Sequence, residues 1–204
     1  MEKPRILTEL KSQTRPQHDS VEGNPFGKAM MDGTMSIEQY KEFLQKFYGF
    51  HVPLEQVLSG FEWSRLGIAF DERRKIALLE QDLRALGMTD TDITLLPRTE
   101  DLPTMNSLED AVGVMYVMEG STLGGQIQAR QVQKMFGFTA ENGTAYFSSY
   151  GANVGVMWKA YCEAIVSAAN DDEAKEAVII HSAKETFAAL ERWLMLEVGV
   201  AEAV

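Results

Sequence analysis

Apolar residues return at spacings of three and four along almost the whole chain, and nowhere do they alternate with the period of two that a half-buried strand requires. The stripe Ile37, Tyr40, Leu44, Phe47, His51 forms one helical face, and Ser36 with Gln39 has the capping-box spacing that starts such a helix. A second helix is expected over about 71–86, stopped by Gly87. The stretch 89–104, with Pro97 and Pro103, reads as a long loop. A long helix is expected from near Ser107, with Glu109 and Asp110 in its first turn, to about Phe136. Two more cover about 145–169 and 173–197. No repeat, linker or low-complexity tract divides the chain, so the expectation is one all-α domain over 1–204, a compact helical bundle.

Composition excludes several classes of function. The net charge of −11 opposes binding to nucleic acid, whose phosphates it repels, so no nucleic-acid partner is expected. No apolar run reaches the roughly 18–20 residues of a membrane span. The longest ends at Glu119, and no membrane association is expected. The first residues lack the apolar core of a signal peptide. Cys162 is the only cysteine, which rules out an intrachain disulfide or a multi-thiolate metal site and fits a reducing compartment, read as the cytoplasm.

The chain has three histidines. On a continuous helix Lys11, Arg15, His18 and Glu22, spaced +4, +3 and +4, share one face. Imidazole binds iron, a carboxylate one turn away orients the ring, and cations one and two turns back can meet carboxylates of a ligand. A solvated surface face is the plainer reading. Thr14 and Gln17 also have capping-box spacing, with Pro16 in the first turn; a helix starting there would remove Lys11 from the face. His51 lies on an apolar stripe and is expected to be a hydrogen-bonded core residue. His181 is expected to be structural or exposed, and Cys162 a small core residue.

Gly120, Gly124 and Gly125 interrupt a strongly helical segment, at a cost of about 0.8–1 kcal/mol each relative to alanine. Close helix packing, a break between two helices, and a bare backbone approaching a flat ligand all account for them. The run is not a phosphate loop, because no strand precedes it and no Lys-Ser/Thr follows.

These residues resemble a known family. Leu10, Thr14, His18 and Glu22 look like the proximal helix of heme oxygenases. The run from Glu119 through Gly120, Ser121, Gly124 and Gly125 to Gln126 resembles their distal helix in its bacterial, biliverdin-producing form. Phe47 to Glu55, Tyr150 to Lys159 and Thr186 to Leu194 match further bacterial blocks, in family order and over nearly the whole chain. The resemblance implies that His18 is the proximal iron ligand, supported by Glu22. It implies that Gly120, Ser121, Gly124 and Gly125 form a kinked distal helix over the oxygen site. It places Lys11, Arg15 and Lys159 among propionate-facing cations, and Phe187 in the pocket wall. At Ser121 the animal enzymes carry an aspartate that organises distal water; bacterial members often lack it.

By the same resemblance, heme is both substrate and cofactor and dioxygen the co-substrate. The products are biliverdin, expected as the alpha isomer, iron and carbon monoxide. No flavin or dinucleotide fingerprint is present, so electrons must come from outside, from a ferredoxin or a flavoprotein reductase. A phytochrome is a candidate acceptor of the biliverdin. The rival readings are a non-catalytic heme carrier or sensor of this fold, and a fold-related thiaminase-type hydrolase, for which Cys162 has no recognisable motif.

Overall fold

A computed structural model describes residues 4–196; residues 1–3 and 197–204 of the expected domain, with the end of the last expected helix, lie outside the described residues. Among the described residues there are ten α-helices, three short 3-10 turns and isolated bridges at Thr139. The helices are α1 (Arg5–Gln13), α2 (Arg15–Glu22), α3 (Pro25–Asp32), α4 (Ile37–Leu58), α5 (Ile76–Ala85), α6 (Asp90–Thr94), α7 (Leu108–Phe136), α8 (Ala145–Ser148), α9 (Val154–Ala169) and α10 (Glu173–Met195). None is long and apolar enough to cross a membrane.

Local chemistry sets the ends of the long helices. At α4 the Ser36 hydroxyl accepts from the Gln39 N–H and the Gln39 side chain accepts from the Ser36 N–H. Ser107 and Asp110 do the same at α7, which runs unbroken through its glycines to Gly137, at φ 76°. Gly87, at φ 82°, follows α5 as expected. Such left-handed stops suit glycine, which has no Cβ to clash.

Three expectations need correction. The helix expected over 71–86 is a 3-10 turn, Phe70–Arg73, followed by α5; between them the Lys75 N–H donates to Glu55 Oε1 at 2.6 Å instead of to a helical carbonyl. The loop over 89–104 contains α6, started by a Thr89–Asp92 capping box. The helix expected over 145–169 is broken into α8, a 3-10 turn at Gly151–Asn153, and α9, with Ser149 at φ 44°. The break falls at Ser149 and Gly151, both in the left-handed region. Asp82, fully buried on α5, accepts from the N–H groups of Ala145 and Tyr146 at 2.7 and 2.8 Å and so caps the start of α8. Burial drives the Asp82 carboxyl up to about 6 despite these hydrogen bonds.

In the core α7 packs along α10 and against α9. Gly113 makes this possible: a Cβ there would lie 2.3 Å from the Ile179 carbonyl oxygen on α10. On α1, Ile6 and Leu10 are buried, and α1 rests on α9 and α10. α2 leans on α10 and buries no residue.

Candidate functional site

A cavity of about 750 Å³ is lined by α1 and α2 on one side and by the glycine run of α7 on another, with α4, α8, α9 and α10 completing the wall. The helix break at Thr14 does not turn the chain. Thr14 keeps helical torsions, makes no side-chain cap, and donates from its hydroxyl to the Leu10 carbonyl; the His18 N–H still reaches the Thr14 carbonyl at 3.0 Å. Lys11, Arg15, His18 and Glu22 therefore stay on one face, and all four line the cavity.

On this wall the His18 Nδ1 lies 3.6 Å from both Glu22 and Asp19, and it is buried with no hydrogen-bond partner in reach. The Phe187 ring, on α10, meets the imidazole edge-on with centroids 5.8 Å apart. Arg15 is held by Asp19 at 2.7 Å, which keeps the Asp19 carboxyl below its usual range. Asp19 is a member of the His18 cluster that the sequence reading did not single out.

On the α7 wall the three glycines divide by role. A Cβ on Gly124 would meet nothing within 4 Å, and one on Gly120 would meet only the Trp158 ring at 3.8 Å, so both leave open space at the cavity. A Cβ on Gly125 would lie 2.6 Å from the Phe147 carbonyl oxygen, so this glycine serves packing against α8. Ser121 lines the cavity and donates to the Met118 carbonyl at 2.8 Å.

Behind the glycines lies a buried polar network. Glu119, 1% exposed, pairs with Arg73, accepts from the Tyr150 hydroxyl at 2.6 Å, and lies 3.8 Å from Lys75 Nζ. Arg73 also donates to the Met157 carbonyl. Burial and the facing Glu119 carboxylate push the Tyr150 phenol up, so it stays a donor. On α4, His51 Nε2 is 3.0 Å from the Tyr146 hydroxyl and its Nδ1 is 3.4 Å from Glu55. Tyr146 and Lys75 both reach the cavity wall.

A heme oxygenase family model matches residues 5–195, nearly all of the described chain. The chain belongs to the heme oxygenase family. A curated heme oxygenase of Xanthomonas campestris pv. campestris (strain 8004) is 31% identical over 108 residues, 52% of this chain and 61% of that protein; the match thus covers less than two thirds of the relative's length. Among solved structures, the NO- and CO-bound heme oxygenase of Neisseria meningitidis superposes with TM-score 0.75 at 24% identity, covering 97% of this chain and 94% of that one. Heme oxygenase-1 of Synechocystis sp. PCC6803, in complex with heme, superposes with TM-score 0.75 at 19% identity, covering 94% and 91%.

Within this heme oxygenase fold, His18, Glu22, Lys11, Arg15, Phe187, Gly120, Ser121, Gly124 and Gly125 all line one cavity. Lys159 is outside that lining; its side chain is 80% exposed, 3.9 Å from Glu163. His51 is the buried, bonded residue expected, and His181 is exposed. Cys162 is half-buried and lines the cavity, where a core position was expected. The sequence reading gave no role to Arg73, Lys75, Glu55 or Tyr146. His51 and Glu55, one turn apart on the apolar face of α4, were the available signal, since buried ionisable groups need partners.

Proposed function

We propose that this chain is a heme-degrading oxygenase that holds heme in the α2–α7 cavity and opens it to biliverdin, iron and carbon monoxide, using dioxygen and external electrons. The observation that carries this reading is the pairing across one cavity of His18 with the open backbone of Gly120 and Gly124. The residues present fit the group. The buried, unsatisfied Nδ1 of His18 faces two carboxylates, which suits a ring oriented for iron through its other nitrogen. Phe187, Leu190 and Leu194 offer apolar surface to a macrocycle, and Lys11 offers a cation to its propionates.

Bound heme supplies both the iron that activates dioxygen and the ring that is oxidised. His18 would hold the iron, with Glu22 and Asp19 fixing the imidazole. Phe187 restrains that ring edge-on. Gly120 and Gly124 keep the opposite face clear, while the packed Gly125 fixes how close α7 comes to α8. Lys11, with Arg15 once released from Asp19, would meet the propionates and so bear on which biliverdin isomer forms, expected to be alpha. Lys159 would join them only by swinging in from outside the lining. Electrons come from a ferredoxin or a flavoprotein reductase in the cytoplasm, and a phytochrome is a fitting acceptor of the product.

The test is to add hemin to the purified protein and follow the spectrum with ascorbate or reduced ferredoxin. Loss of the Soret band with the appearance of biliverdin absorption is expected. Bound heme that persists under reductant and oxygen would replace this reading with that of a carrier.

A further inference from the structure

Lys75 stands between the Phe70–Arg73 turn and α5, with its side chain 4% exposed and on the cavity wall. Its Nζ has no hydrogen-bond partner. Glu119 Oε1 is 3.8 Å away, and the centre of the Tyr150 ring is also at 3.8 Å; both attract the ammonium without satisfying its donors. Glu55 presents the complementary defect. Its Oε1 accepts from the Lys75 N–H and faces His51, whereas Oε2 is buried and unpartnered. A buried donor and a buried acceptor left unsatisfied are costly, and water meets both needs at once.

The charges facing Lys75 are the carboxylates of Glu119 on α7 and Glu55 on α4 and the guanidinium of Arg73 in the preceding turn. With the Lys75 ammonium they cancel, so the gap suits a neutral hydrogen-bonding ligand and not an anion. From Glu55 the polar chain runs through His51 to the Tyr146 hydroxyl. Tyr146 and Ser121 both line the cavity.

We propose that Lys75 is a positioning residue of the α7 wall: with Glu55 it holds water that orients, through His51, the Tyr146 hydroxyl, and so sets the delivery of protons to the cavity. This rests on the heme-degrading reading above. The ammonium holds a proton on the buried side of the chain, and each proton passed inward is replaced from bulk water. Burial drives Lys75 down to about 8, with Glu119 and Glu55 opposing that shift and Arg73 adding to it. The charge that orders the chain is therefore present at neutral pH and lost as pH rises through about 8.

Two measurements test the proposal. In the heme-free protein, NMR of labelled lysine side chains should show the Lys75 amine titrating near 8, apart from surface lysines at about 10.4. In the hemin-loaded protein, Lys75→Met should keep the absorption spectrum of His18-bound heme but slow turnover by about 10- to 100-fold, the lower part of what positioned proton transfer contributes. It should also abolish the fall in rate above pH 8 expected of the wild type. Lys75→Arg should restore the rate and move that fall beyond the accessible range. A Lys75 that titrates with the surface lysines, or a Lys75→Met variant with the wild-type rate and pH profile, overturns the proposal. Should Lys75→Met not fold, the NMR titration and the Lys75→Arg profile decide it. A wild type that binds hemin and never degrades it defeats the heme-degrading reading instead, and the titration still decides where the amine sits.

Discussion

α2 brings His18 to the cavity on eight residues, none of them buried, while α7 brings Gly120 and Gly124 on 29 residues capped at both ends, with Glu119 sealed among Arg73, Lys75 and Tyr150. The first wall has little packing of its own. Its ties to the rest include Phe187 against the imidazole, a Ser20–Glu191 hydrogen bond and Val21 against the core. The second is determined before any ligand arrives. The difference assigns the two walls different energies. On the α2 side, stability is expected to follow ligand occupancy. On the α7 side, folding itself fixes the surface that must not move during chemistry. A substitution should therefore report on ligand chemistry on one side and on global stability on the other.

The largest expected effect is on activity. His18→Ala should abolish turnover and leave the heme-free melting transition nearly unmoved, within about 0.5 kcal/mol, because no residue of α2 is buried and the His18 side chain is 45% exposed. Heme is retained weakly through the apolar wall and Lys11. A His18→Ala protein that degrades hemin at the wild-type rate without added imidazole would remove His18 from the site. The mirror experiment is Glu119→Ala. It leaves Arg73 and Lys75 buried without their carboxylate, and a loss of about 3–5 kcal/mol is expected in denaturant unfolding. If Glu119→Ala unfolds with the wild-type midpoint, the α7 wall is not held together by its charges, and the contrast between the walls collapses.

The glycines sharpen the comparison within one helix. Gly125→Ala drives a Cβ against the Phe147 carbonyl and should cost about 1–3 kcal/mol. Gly124→Ala meets nothing and should stabilise the heme-free protein by up to about 1 kcal/mol through helix propensity. Gly124→Leu or Gly120→Leu should then depress heme turnover without a matching loss of stability. Thermal melts of the heme-free variants beside single-turnover assays separate the two roles. Equal melting shifts at positions 124 and 125 would mean that both glycines are simply packing residues.

What the sequence expressed and what it withheld follow the same divide between local and distant physics. The starts of α4 and α7 were legible because Ser36–Gln39, and Glu109 and Asp110 in the first turn, act within one turn of the residues they cap. The shared face of Lys11, Arg15, His18 and Glu22 was legible for the same reason, although whether Thr14 interrupts it depended on packing. The start of α8 was not legible, because the Asp82 that caps it lies 63 residues before Ala145. Nor was the Arg73–Glu119 pair, whose partners are 46 residues apart. Residues 119–126 could be read as packing or as ligand approach. The position of Phe147 shows that Gly125 packs, whereas Gly120 and Gly124 leave open space at the cavity.

The smallest expected effects concern the cations at the cavity edge, and they grade the anchor set that the sequence proposed as equal. Lys11 lines the cavity, Arg15 is engaged by Asp19, and Lys159 stands outside the lining beside Glu163. Exposed ion pairs contribute little, so the loss of any one cation should weaken heme affinity by less than about fivefold. Orientation is the more sensitive readout, because two rotations of the ring can differ by less than the whole binding energy and still yield different biliverdin isomers. Lys11→Ala should therefore shift the isomer ratio away from alpha by chromatography of the products, while Lys159→Ala should leave it unchanged. The opposite pattern would mean that α9 closes toward α2 when heme enters, and that the weakly packed wall moves further on binding than its own helices require.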